Sequence, residues 1–160
     1  MLCTINTDAS FHSHYRVGAF AFWAVSNEFR LTKAGFLRER CINPDEAEMK
    51  CIINAVTAVL SSNKNITKLI INTDSLNSKA VFENDKKHIQ RWGLARWKHL
   101  RKLFNRTIFN YKKQTKVIKV EFRHVKAHSG KGDARSYVNE WCDKNAKYYL
   151  WKRINQLKLK

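Results

Sequence analysis

Acidic side chains are scarce in this 160-residue chain: 13 Asp and Glu stand against 31 Lys and Arg, for a formal charge of +18. An excess of that size goes beyond what solubility needs and points to a polyanionic partner, nucleic acid first. It also makes each remaining carboxylate informative, because so few are spent on solvated surface. Other shortages exclude whole classes. No apolar run approaches the roughly 18 residues of a membrane span, and the N-terminus lacks the basic, apolar and small-residue succession of a signal peptide. A soluble, unsecreted protein of the cytoplasm or another reducing compartment is therefore expected, with no membrane contact. One proline and five glycines leave no composition for a linker or a low-complexity tract, and no solenoid period occurs. Cys3, Cys41, Cys51 and Cys142 form no Cys-x-x-Cys pair, which argues against a zinc site and a disulfide framework alike and for buried thiols.

With 44% hydrophobic residues the chain has enough apolar surface for one core, and a single domain over residues 1–160 is expected. Residues 2–7 alternate as a strand, Val17 to Val25 form an aromatic-rich strand, and Phe29 to Leu37 a third, together an antiparallel meander. A helix opens at Asn43-Pro44-Asp45-Glu46, with a capping Asn, Pro in the first helical position and acids facing the dipole. The stripe Met49, Ile52, Ile53, Val56, Val59 and Leu60 continues it. A short buried strand over 68–71, a helix from Ser75 to Glu83, a strand over 117–122 and a last helix from about Arg135 to Leu157 complete an α/β fold. The implied sheet is five-stranded and mixed, a three-strand antiparallel meander plus parallel strands, flanked by helices.

Two features stand out. Ile5-Asn6-Thr7-Asp8 is repeated as Ile71-Asn72-Thr73-Asp74, and both copies read as strand ends. If the first and fourth strands lie parallel and adjacent, Asp8 and Asp74 share one sheet edge, a place to hold a metal. The second feature is residues 86–116, with eleven Lys and Arg, no acid, and interleaved aromatics. Trp97, Leu100, Phe104 and Ile108 fall on one helical face, with Lys98, Arg101 and Lys102 toward the other, a basic amphipathic helix whose charge a core role alone does not explain. Basic residues at the C-terminus, from Lys144 to Lys160, either extend that field or form only the exposed face of the last helix. Asp45 and Glu46 are accounted for by the helix dipole. Glu48, one turn in, is free to point at the sheet edge and is preferred as a functional acid.

Thr7-Asp8-Ala9-Ser10, Glu48-Met49, Thr73-Asp74-Ser75, Val125-Lys126-Ala127-His128-Ser129-Gly130 and Asn139-Glu140-Trp141-Cys142-Asp143 occur in this order on these elements. In this the sequence resembles the type 1 ribonuclease H family over nearly its whole length. The resemblance implies a ribonuclease H-like fold and a metal-dependent endoribonuclease that cuts the RNA strand of RNA/DNA hybrids with two Mg²⁺ ions, Mn²⁺ being the alternative. Asp8, Glu48, Asp74 and Asp143 would be the metal-binding carboxylates and His128 the loop histidine that assists proton movement or product departure, with Glu48 also touching a ribose 2′-hydroxyl. Hard carboxylate oxygens suit such cations, and paired ions can clamp the attacking and leaving oxygens of a phosphodiester.

The substrate-reading positions depart from the family pattern. After Asp8 the chain has Phe11-His12-Ser13-His14-Tyr15-Arg16 in place of a Gly- and Pro-rich segment. His12 and His14 are therefore read as groove residues rather than zinc ligands. Ser10, Asn43, Ser75 and Asn77 are further candidate nucleic-acid contacts, with Leu76 where a glutamine is common. Arg91, Lys98, Arg101 and Lys102 would grip phosphates. Three rivals remain: a non-catalytic binding module of this fold in a larger ribonucleoprotein, a DNA-directed nuclease of the same superfamily, and a domain cut from a reverse transcriptase, the last disfavoured by Met1 lying so close to the first strand. A monomer with no obligatory protein partner is expected.

Overall fold

The computed structural model describes residues 1–62, 65–85, 87, 93–114, 118–125 and 134–159. Strands β1 (Leu2–His12), β2 (Val17–Ser26) and β3 (Arg30–Phe36) form the antiparallel meander. On the other side of β1, β4 (Lys68–Thr73) pairs in parallel, and β5 (Lys119–His124) pairs in parallel with β4. The sheet order is β3-β2-β1-β4-β5, the mixed five-stranded arrangement that the sequence pattern implies. Helices α1 (Pro44–Ser62), α2 (Leu76–Glu83), α3 (Gly93–Gln114) and α4 (Ala134–Lys158) flank it.

One expectation is corrected. Asp8 does not end a strand, because β1 continues to His12. The antiparallel ladder to β2 runs through Asp8 opposite Ala21 to His12 opposite Val17, whereas the parallel ladder to β4 stops at Asn6 opposite Asn72. Asp8 thus lies where β1 still has a partner on one side and has lost its partner on the other.

The strand period of two sorts the side chains into two layers. Cys3 and Ile5 of β1 join Phe20 and Phe22 of β2 and the Met49, Ile52, Val56 and Val59 stripe of α1 in the main core. On the opposite face Val17, Ala19 and Ala21 pack against Leu150, Cys142 and Ala146 of α4. Leu69, Ile70 and Ile71 of β4 are all buried, as a strand covered on both faces requires. The apolar half of the basic segment is core as expected: Trp97, Leu100, Phe104 and Ile108 of α3 are buried. Phe104 stacks on Phe82 at 4.6 Å and leans on Phe122 at 5.6 Å. Tyr111 closes the stripe, its hydroxyl accepting from Ile66 N at 2.9 Å.

The seat of α1 matters most for the site. Asn43 Oδ1 accepts from Glu46 N at 2.9 Å, and Glu46 Oε2 accepts from Ile42 N at 2.8 Å, a reciprocal cap that satisfies donors left free by the helix start. Gly18 lets this end approach β2: a Cβ there would come 3.0 Å from Leu37 Cδ1 and 3.2 Å from the Ala47 methyl. No helix among the described residues is long and apolar enough to cross a membrane.

Candidate active site

The two Ile-Asn-Thr-Asp segments lie side by side, Ile5 opposite Ile71 and Asn6 opposite Asn72. Each pair does something different. The isoleucines are wholly buried in the core. Asn72 Nδ2 donates to Asn6 Oδ1 at 3.1 Å, a buried cross-strand hydrogen bond. The threonine hydroxyls both donate to one atom, Glu48 Oε1, at 3.1 Å from Thr7 and 3.3 Å from Thr73. The aspartates come next, and oxygen atoms of Asp8, Glu48 and Asp74 lie within 4.8 Å of one another. Burial falls from Glu48 through Asp8 to Asp74, so the cluster is rooted in the core and opens to solvent.

Three carboxylates in so small and dry a space repel one another as anions. Burial, then the charges of Asp74 and Asp143, push Asp8 up to about 7, against the opposing pull of the Ala9 N–H and Lys147. Burial, then Asp74 and Asp8, push Glu48 up to about 8, although both threonine hydroxyls favour its anion. A site that resists its own negative charge gains most from a cation. The donors are hard oxygens alone, which fits Mg²⁺ or Mn²⁺ and does not fit a thiolate-seeking metal.

The floor under Asp8 is made of thiols. Cys51 Sγ donates to the Asp8 carbonyl at 3.3 Å and the Ala21 carbonyl at 3.5 Å, and Cys142 Sγ donates to the Asn6 carbonyl at 3.7 Å. Burial raises both thiols well above their usual range, so they stay protonated as donors that tie β1 to α1 and α4. All four cysteines are buried and free.

Asp143 approaches from α4, close enough for its charge to act on Asp8. It stands apart from the cluster of three, with its Oδ2 accepting from Lys147 Nζ at 3.1 Å. Glu46, the alternative to Glu48, spends its carboxylate on the α1 cap and on Lys50 at 3.0 Å. His128 and Arg91 lie outside the described residues, whereas His124 is exposed, with Nε2 3.2 Å from the Asp74 carbonyl oxygen.

Several of the candidate groove residues are engaged within the protein. Ser10 and His12 follow Asp8 at two-residue spacing on β1 and so share its face. His12 Nδ1 accepts from Tyr15 N at 3.3 Å, and the His12, His14 and Tyr15 rings pack together, Tyr15 lying 5.3 Å from His12 and 5.0 Å from His14. Asn43 is committed to the α1 cap. Ser75 caps α2 by accepting from Ser78 N at 3.1 Å, and Asn77 Nδ2 donates to Asp45 Oδ2 at 2.9 Å. On α3, Lys98 and Lys102 are exposed and Arg101 is half-buried.

Sequence reasoning missed the role of Thr7 and Thr73, the Asn6–Asn72 bond, the Cys51 and Cys142 floor and the Lys147 partner of Asp143. Only the first two carried a signal, since an identical tetrapeptide on paired parallel strands pairs every position, not the aspartates alone.

The RNase H family profile matches residues 2–150. No curated protein sequence matches the chain. Among solved structures, RNase H1 of the archaeon Halobacterium salinarum NRC-1 is 15% identical with a TM-score of 0.67, covering 95% of this chain and 99% of its own. The N-terminal RNase H domain of rv2228c from Mycobacterium tuberculosis, solved as a fusion with maltose-binding protein, is 12% identical with a TM-score of 0.68 and covers 98% of both chains. LC11-RNase H1, of a compost metagenome, solved in complex with an RNA/DNA hybrid, is 14% identical with a TM-score of 0.60, covering 92% of this chain and 99% of its own. These structures share the fold. A profile that takes in all five strands and reaches well into α4 makes this chain a member of the RNase H family.

Proposed function

We propose that the chain hydrolyses the RNA strand of RNA/DNA hybrids, with Asp8, Glu48 and Asp74 holding divalent cations and Asp143 completing the set. The observation that carries this reading is the convergence of three carboxylates from β1, α1 and β4 within 4.8 Å, in a chain whose family is known. Bound there, two Mg²⁺ or Mn²⁺ ions would supply charge stabilisation on the attacking and leaving oxygens of the scissile phosphodiester.

The protein's own groups do the rest. Thr7 and Thr73 hold Glu48 in one orientation through its Oε1. Asp143, whose charge reaches Asp8 from α4 and whose Oδ2 pairs with Lys147, would be the fourth residue to hold the ions. His128 carries the proton, having the side chain whose ordinary pKa lies nearest neutrality. Ser10, His12 and His14 line the path beyond Asp8, and the α3 cations grip phosphates. The solved complex of LC11-RNase H1 with an RNA/DNA hybrid supports the substrate class. A single domain acting as a monomer in a reducing compartment is part of the same reading, since one chain supplies every named group and the four thiols are free.

The test is a gel assay with matched RNA/DNA, RNA/RNA and DNA/DNA duplexes in Mg²⁺ and in Mn²⁺. Cleavage of the hybrid alone, lost in EDTA and in Asp74→Asn while hybrid binding persists, is the expected result. Binding without cleavage by the wild-type chain would favour the non-catalytic module instead, a reading that the internal commitments of Asn43, Ser75 and Asn77 support.

A further inference from the structure

Away from the acidic cluster, the solvent face of α4 carries rings and cations in an order that the core does not require. Two rows climb the helix at four-residue spacing, Asp143, Lys147, Trp151 and beside it Lys144, Tyr148, Lys152, and this spacing sets each side chain above the last. Trp151 is 62% exposed and Tyr148 51%. The opposite stripe, Cys142, Ala146 and Leu150, is buried against the sheet. The Lys152 ammonium stands 5.4 Å from the Tyr148 ring centre, so ring and cation share one patch of surface. From Lys144 to Lys158 there are five cations and no acid, and of these Lys147 pairs back with Asp143 at 3.1 Å.

The first row begins beside the acidic cluster, with Asp143 as its first member. Trp151 lies eight residues further along, about 12 Å at 1.5 Å per residue. Trp151 and Lys152 lie just past residue 150, where the family match ends. Exposed rings alternating with cations are what a single strand of nucleic acid uses: bases stack on the rings and phosphates are drawn by the charges.

We infer that this face of α4 binds single-stranded nucleic acid, an unpaired extension of the duplex whose bases stack on Tyr148 and Trp151 and whose phosphates meet Lys144, Lys147 and Lys152. The inference rests on the hybrid-cleaving reading for the duplex part of its substrate. A membrane surface fits less well, since an interfacial helix needs its apolar face free and here that face is buried in the sheet. An acidic protein segment would match the cations and leave the rings without stacking partners.

The experiment compares Kd and KM of the full chain for a blunt hybrid and for the same hybrid with an unpaired extension of about six nucleotides, a length within the usual span of one stacking platform. For the wild type the extension should tighten binding at least about fivefold, the low end of one stacked base. The Tyr148→Ala/Trp151→Ala double variant should bind both duplexes alike, with unchanged kcat on the blunt one. Trp151→Phe, which keeps a ring, should retain most of the gain. No gain in the wild type, or an undiminished gain in the double variant, would overturn the inference, as would capture by phosphatidylserine vesicles lost in the double variant with no effect of the extension. The Kd arm reads the platform even if neither duplex is cut, so failure of the proposed cleavage and failure of the platform are separate results.

Discussion

Replacing Asp8 by Asn should stabilise the metal-free protein, and by an amount that depends on pH. Asn keeps the shape and can still accept from the Ala9 N–H, 3.0 Å from the carboxylate, but it cannot take on charge. In the unfolded chain Asp8 ionises near its ordinary 3.8, whereas in the folded protein burial and the neighbouring acids hold it protonated to about 7. Between those values the folded state binds a proton that the unfolded state has released, so wild-type stability falls as pH rises. The wild-type and Asp8→Asn proteins should therefore match near pH 3, diverge through pH 4 to 7 and stay apart above. At 1.36 kcal/mol per pKa unit the full gap is about 4 kcal/mol, and relaxation and water entry reduce it to roughly 2–4 kcal/mol. For a chain of this size that is about 5–15 °C in Tm. Thermal melts of both proteins in EDTA across the pH series read the gap directly, and comparing the two at each pH cancels the self-repulsion of a +18 chain. Saturating Mg²⁺ should close or invert the difference, because the cation stabilises only the ionised site. A gap that stays flat from pH 4 to 8 would refute the claim that the cluster is strained by its own charge.

Two further outcomes test how the site is held. Thr7→Val and Thr73→Val keep volume and remove one of the two hydroxyls on Glu48 Oε1, a loss of about 0.5–1.5 kcal/mol each while the other still donates. Both should lower kcat more than they raise KM, with serine at either position restoring most of the rate; valine variants that cleave like wild type would show that Glu48 needs no clamp. Phe104→Ala removes one ring of the Phe82, Phe104 and Phe122 cluster and should cost about 3–5 kcal/mol in urea unfolding, with activity per folded molecule retained because Phe104 is not among the residues of the acidic cluster.

The three clustered carboxylates could be picked out of the sequence because the chain has so few acids. Asp8 and Asp74 announced themselves through the repeated tetrapeptide, and Glu48 through its place one turn inside a helix whose first acids already had work to do. The strand and helix order was legible for the same kind of reason, since the buried stripes of α1 and α3 keep a strict helical spacing. What could not be read from the chain were the long-range partners. Nothing local says that β1 runs on to His12, because that depends on β2 continuing to pair after β4 has stopped.

The sequence by itself determined which elements form, the charge that draws a nucleic acid, and four acids in an order that resembles one family. Tertiary structure alone decided how those acids stand to one another. It placed three together and set the fourth against Lys147. It turned Thr7 and Thr73, residues 66 apart in the chain, into one clamp on Glu48, and it committed Asn43, Ser75 and Asn77 to bonds within the protein. The reason is physical: periodicity and propensity act over a few residues, whereas the desolvation and mutual repulsion that tune Asp8 and Glu48 exist only once β1, α1, β4 and α4 have been packed around the same few ångströms.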